Sequence, residues 1–151
     1  MPQSNSANLQ QAFTKRRSIY ALGDNLPVKP QEIIDIAERT ILNTPSAFNS
    51  QTTRLVVLFG KQHKQHKQLW DITETHLRKA VGSNDFSGSK QKMDGFRAAV
   101  GTVMFYEDQE IIQSLQDKFA LYADRFPIWA QQTSAMHQYA VWLELSALNI
   151  G

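Results

Sequence analysis

The chain has 151 residues, 42% of them hydrophobic and 20% charged. That composition fits one globular domain with a real core and excludes a disordered, collagen-like or coiled-coil chain. With no cysteine, it excludes disulfides, thiolate metal sites, iron–sulfur clusters and a Cys nucleophile, and a net charge of +2 is too small a surplus to argue for nucleic acid or an anionic membrane as the main partner.

Leu9, Ala12 and Phe13 fall at helical spacing, so a first short helix is expected to run into Arg16-Arg17. This twin arginine is followed by Ala21-Leu22-Gly23-Asp24-Asn25, which is not the apolar segment an export signal needs. No apolar run approaches the ~20 residues of a membrane span. The expectation is a soluble cytoplasmic protein. Pro30 suits a first helical position, with Ile33, Ala37 and Ile41 on one face of a second helix. That helix should stop at Asn43-Thr44-Pro45-Ser46, because a proline disfavours helix in the residue before it. Thr44 to Thr53 reads as a polar loop with one aromatic, Phe48.

Residues 54–60 read as a strand whose unbroken apolar run suggests burial on both faces. A third helix over about 62–81 would turn Leu69, Ile72, Leu77 and Ala80 inward, and a short helix with Met93, Phe96 and Ala99 follows a polar loop over 83–89. Residues 102–106 form a second strand. Ile111, Ile112, Leu115 and Phe119 mark another helix, Asp124 to Pro127 breaks the pattern, and a long apolar helix over about 129–149 could be capped by Gly151. Two strands have two open edges and cannot cover this many apolar helices. The expectation is an obligate oligomer, a chain lacking a C-terminal segment, or both.

The residues that could carry chemistry are few. Arg16, Arg17 and Ser18 offer two guanidinium groups and a hydroxyl, a receptor for a phosphate dianion. An arginine pair at a helix end can equally be a solvated complement to the helix dipole. The loop Pro45-Ser46-Ala47-Phe48-Asn49-Ser50-Gln51 holds two carboxamides and two hydroxyls that could read a ring edge of alternating N–H and C=O groups, such as the pyrimidine side of a flavin. It could also be a plain turn-rich surface loop. Phe48 could pack on a ring or on a partner chain. The aromatic run from Phe119 to Trp129 suggests a pocket wall, or packed core. His63 and His66 share a helix face within a tandem Lys-Gln-His repeat, but surrounding lysines and the lack of a completing carboxylate favour a solvated face. His76 and His137 read as packed core histidines. Glu107, Asp108 and Glu110 form an acidic cluster that could simply be charge near a helix N-terminus. No nucleophile elbow, phosphate-binding loop or dinucleotide-binding turn is present.

Taken together, Arg16 to Gly23, Pro45 to Gln51 and Arg54 to Leu58 resemble the FMN-dependent nitroreductase family, and more closely its fatty-acid-repression-mutant-type branch. Leu69-Trp70, Gly101 to Gln109, Phe119 to Trp129 and Ala140-Val141-Trp142 carry the same resemblance. It implies an α+β domain over residues 1–151, with helices packed on a central, mainly antiparallel sheet that is incomplete at the C-terminus, since family members run on beyond the position of Gly151. It implies a homodimer with FMN at the interface. Arg16, Arg17 and Ser18 would hold the phosphate and ribityl end. Asn49 and Gln51 would address the ring, with Ser46 and Phe48 close by and Arg54 as an addition. The implied activity is electron transfer from NAD(P)H to a nitroaromatic, quinone or similar small-molecule acceptor by a ping-pong mechanism. No catalytic side chain or metal is required, because the flavin performs the chemistry. A flavin-binding regulatory protein with little turnover, or an inactive fragment, are the alternatives.

Overall fold

The computed structural model describes residues 5–60 and 64–151. In chain order the elements are α1 (Asn5–Lys15), α2 (Pro30–Asn43), β1 (Thr53–Phe59), α3 (Lys64–Val81), α4 (Ser87–Ala98), β2 (Gly101–Glu107), α5 (Gln109–Lys118) and α6 (Phe126–Ala147), with short 3-10 turns at Ala47–Asn49 and Ala120–Tyr122. Among the described residues the fold is α+β, with six helices packed on a two-stranded antiparallel sheet. No described helix is long and apolar enough to cross a membrane.

The sheet register pairs Thr53 with Glu107, Leu55 with Phe105 and Phe59 with Gly101. Gly101 is needed there, since a Cβ would stand 2.5 Å from the Leu58 carbonyl oxygen. Burial on both faces does not hold. Thr53 and Phe59 are buried on one face, whereas Val56 and Tyr106 remain 42% and 47% exposed on the other. The continuous apolar run hid this because successive side chains alternate faces whatever their polarity.

Pro30 sits in the first turn of α2, and Thr44 is extended, as the following proline demands. Ile33, Ile36, Ala37 and Thr40 bury the inner face of α2, which packs on α6. A second part of the core joins Ile112 of α5 to Phe126 and Ala130 of α6. Asp108 caps α5 by accepting from the N–H groups of Glu110 and Ile111. Arg97 of α4 clamps that helix to α3 through Asp71 and Glu74 and also pairs with Asp94 of its own helix.

Several local expectations change. His66 is not on a solvated face. It is 1% exposed, with Nε2 3.0 Å from the Thr102 hydroxyl, to which Trp70 Nε1–H also donates. The inward stripe of α3 runs through 66, 69, 70, 73 and 77, a register the polar repeat disguised. His76 lies beside that stripe and is exposed rather than packed, and Ile72 is 51% exposed. His63 lies outside the described residues. Pro127 does not break a helix but stands in the first turn of α6, where its missing N–H costs nothing. After α6 the left-handed residue is Asn149, at φ 61°, and Gly151 lies against Ile19. The C-terminal cap expected of Gly151 is therefore not formed.

Candidate functional site

Among the described residues, the loop between α2 and β1 carries three of the four non-glycine residues with positive φ. Phe48, Asn49 and Gln51 have φ of 56°, 52° and 49°, a left-handed conformation that is uncommon for any non-glycine residue and costly for a bulky one. What holds it is visible in the contacts. The Phe48 ring stacks on Trp129 at 5.7 Å and also meets Phe119, Tyr122 and Phe126 at 5.0–5.6 Å. The aromatic run Phe119 to Trp129 is therefore a cluster that seats this loop, with Phe48 still 49% exposed. The Ser46 hydroxyl accepts from the Gln51 N–H and ties the two ends of the turn.

The loop's polar residues gather at one cavity of about 420 Å³, bordered by Ser46, Asn49, Gln51, Thr53, Arg54 and His137, among others. Four of the eight residues singled out in the sequence meet there. Arg54 is braced: its guanidinium pairs with Asp108 at 3.1 Å and donates to the carbonyl oxygens of Gln51 and Thr53. The acidic cluster thus has specific work, because Asp108 also caps α5 and Glu107 accepts the hydroxyl protons of Thr52 and Thr53.

Behind the cavity lies His137 of α6, 3% exposed, with Nδ1 3.0 Å from the Thr53 hydroxyl. Burial holds its imidazole below the ordinary histidine range, against the pull of the Glu107 carboxylate. His137 was legible as a packed histidine, but its place beside the carboxamide loop was not, since it lies 83 positions beyond Arg54.

Arg16, Arg17 and Ser18 lie elsewhere. The Arg16 guanidinium covers the Trp142 ring at 4.1 Å, a cation–π contact, and its Nε is buried without a hydrogen-bond partner. Arg17 and Ser18 are exposed, and Arg17 donates to the Arg16 carbonyl oxygen. Trp142 and Ile19 border a second, larger cavity of about 540 Å³, against the sheet face that carries Val57 and Phe105. None of the eight residues lines that larger cavity. Within one chain the arginine pair therefore does not line the cavity at which the carboxamides gather.

The nitroreductase family model matches residues 13–151. The putative nitroreductase HBN1 of Saccharomyces cerevisiae is 35% identical over 147 residues, a stretch covering 96% of this chain and 72% of that protein. Nitroreductase CinD from Lactococcus lactis, solved in complex with chloramphenicol, superposes with a TM-score of 0.75 at 38% identity, over 95% of this chain and 68% of that one. A putative nitroreductase from Desulfovibrio desulfuricans, solved in complex with FMN, shares the fold at a TM-score of 0.64 and 19% identity, over 97% of this chain and 65% of that one. The match extends from the residues before Arg16 through the carboxamide loop and both strands to the end of α6 and beyond, and on that extent this chain belongs to the nitroreductase family.

Proposed function

We propose that this chain is an FMN-dependent oxidoreductase that takes electrons from NAD(P)H and passes them, by a ping-pong exchange, to a nitroaromatic, quinone or similar acceptor. The observation that carries the reading is the left-handed loop of Phe48, Asn49 and Gln51, which brings Ser46, Asn49, Gln51 and Arg54 to one cavity in a chain of the nitroreductase family. Backbone strain of this kind persists only where the surroundings over-determine it, and it clusters at functional sites.

The residues present fit the cofactor. Arg16 has a buried Nε with no partner, and Arg17 and Ser18 beside it are exposed, a donor set suited to a phosphate dianion. The carboxamides of Asn49 and Gln51 each present a donor and an acceptor to a heterocycle edge. FMN, when bound, supplies the two-electron chemistry. The chain's own task is to grip the anionic tail, to fix the ring through the carboxamides, and to place N–H donors where negative charge accumulates. Phe48 serves by anchoring the loop to the aromatic cluster, and Arg54 by bracing it.

Because the arginines do not line the carboxamide cavity in one chain, the site in this proposal is shared across a homodimer, with the arginines of one copy facing the carboxamide loop of the other. Exposed apolar side chains supply a surface for that pairing. Leu9 and Phe13 of α1 and Met136 and Tyr139 of α6 are 40–51% exposed, and Phe13 stacks on Tyr139. Clustered apolar exposure of this kind marks an interaction surface.

The test is direct. Purified protein incubated with FMN and desalted is expected to stay yellow and to oxidise NAD(P)H only when a nitroaromatic or quinone is supplied. Protein that emerges colourless and inactive would overturn the proposal.

A further inference from the structure

The hydrogen bonds around Thr53 fix which form of His137 the fold holds. The Thr53 hydroxyl has one proton and gives it to Glu107 Oε1 at 2.8 Å. Toward His137 it can then only accept, so the imidazole nitrogen 3.0 Å away must be Nδ1–H. In the neutral ring the other nitrogen, Nε2, is then a bare acceptor. This Nε2 is buried and has no hydrogen-bond partner among the described residues. A buried acceptor left unmatched is costly, and such groups are rare in folded proteins. Four further residues show the local structure to be otherwise well satisfied: Thr52, Arg54, Glu107 and Asp108 all have partners. The same imidazole borders the cavity shared by Ser46, Asn49, Gln51 and Arg54.

We propose that His137 is a further ligand-contacting residue of this cavity, its Nε2 accepting a hydrogen bond from an N–H or O–H group of the bound FMN. This rests on the reading that FMN is the ligand. Glu107 and Thr53 act behind it as the positioning pair that selects the tautomer. The Glu107 carboxylate orders the Thr53 hydroxyl, that hydroxyl holds Nδ1–H, and Nε2 is left as the acceptor. Nε2 is covered in the ligand-free chain, so this contact requires the ligand's donor to displace part of that cover.

Two substitutions separate this role from packing. In His137→Asn the side-chain amide can still donate to Thr53 in place of Nδ1–H, but nothing replaces Nε2. His137→Gln places a polar group near the position of Nε2. By fluorescence titration with FMN, His137→Asn is expected to bind about tenfold more weakly than the wild type, with His137→Gln closer to wild type. On the unsubstituted protein, the Nε2 nitrogen resonance of His137 should report an unprotonated acceptor before FMN is added and should shift on its addition, while Nδ1 stays protonated. If the wild type binds FMN and His137→Asn binds it within twofold, or if the Nε2 resonance does not move, the role of His137 is overturned and FMN as ligand stands. If the wild type itself binds no FMN, both fall.

Discussion

In the proposed site, Arg16 is assigned to the anionic end of the cofactor. Its guanidinium is pre-positioned by the Trp142 ring, so little side-chain entropy remains to be lost when an anion binds. Arg16→Ala is expected to weaken FMN binding by about 1.5–3 kcal/mol, the range for a charge-assisted hydrogen bond, as read by fluorescence titration. An unchanged affinity would remove it from the site. The two buried histidines set a different test. Burial lowers the pKa of His66 against a bond to the Gly101 backbone, and lowers that of His137 against the pull of Glu107. A lowered folded-state value means that the unfolded chain binds the proton first as pH falls. Stability is therefore full above the unfolded histidine pKa of about 6.5 and is lost progressively below it, down to the folded-state values. The melting temperature should fall as pH drops from neutrality toward 6.5 and beyond, and His66→Gln combined with His137→Asn should flatten that fall in calorimetry. A wild-type profile flat across this window would contradict the assignment of both rings as buried and neutral.

The loop over Ser46–Gln51 and the helices around it show how far a sequence can be read at the level of elements. The start and end of α2 were legible because Pro30 and Pro45 act through their own backbone geometry. The inward face of α3 was legible at Leu69 and Leu77 but not at His66, because Lys, Gln and His recur with a period close to the helical one and leave no apolar stripe there. The carboxamides were legible as chemistry but not as a shape. Their left-handed backbone depends on rings supplied from Phe119 to Trp129, a tertiary cause that no local pattern carries. Phe48→Ala should therefore act twice. About half of a Phe→Ala core penalty, roughly 1.5–2.5 kcal/mol, is expected in chemical denaturation, since the ring is 49% exposed, together with weaker FMN binding as the loop loses its anchor. Gln51→Gly is the contrasting change. Glycine accepts φ 49° without penalty, so stability should stay within about 1 kcal/mol of wild type while FMN affinity drops. If affinity survives Gln51→Gly, the carboxamide does not face the cofactor.

At the scale of the whole molecule, the sheet was legible and the site's layout was not. Two strands with no further strand candidates could be counted from apolar runs alone, and the antiparallel pair of β1 and β2 follows. That the arginine pair does not line the cavity of the carboxamide loop has no counterpart in spacing, because it depends on tertiary packing. In the proposed homodimer the apolar face over α1 and α6 is the pairing surface, and Tyr139→Glu, which places a charge beside Phe13, should shift sedimentation toward the monomer and lower FMN occupancy with it. The central question is whether one cofactor is gripped by two copies of the chain. The decisive measurement mixes two variants that each lack one half of the site, Arg16→Ala/Arg17→Ala and Asn49→Ala/Gln51→Ala, exchanges their subunits, and titrates the mixture with FMN. If the site is shared, the hybrid dimer contains one intact site and binding returns to one FMN per hybrid pair. If the mixture binds no better than either variant alone, the two groups do not meet across an interface, and the proposed site is wrong.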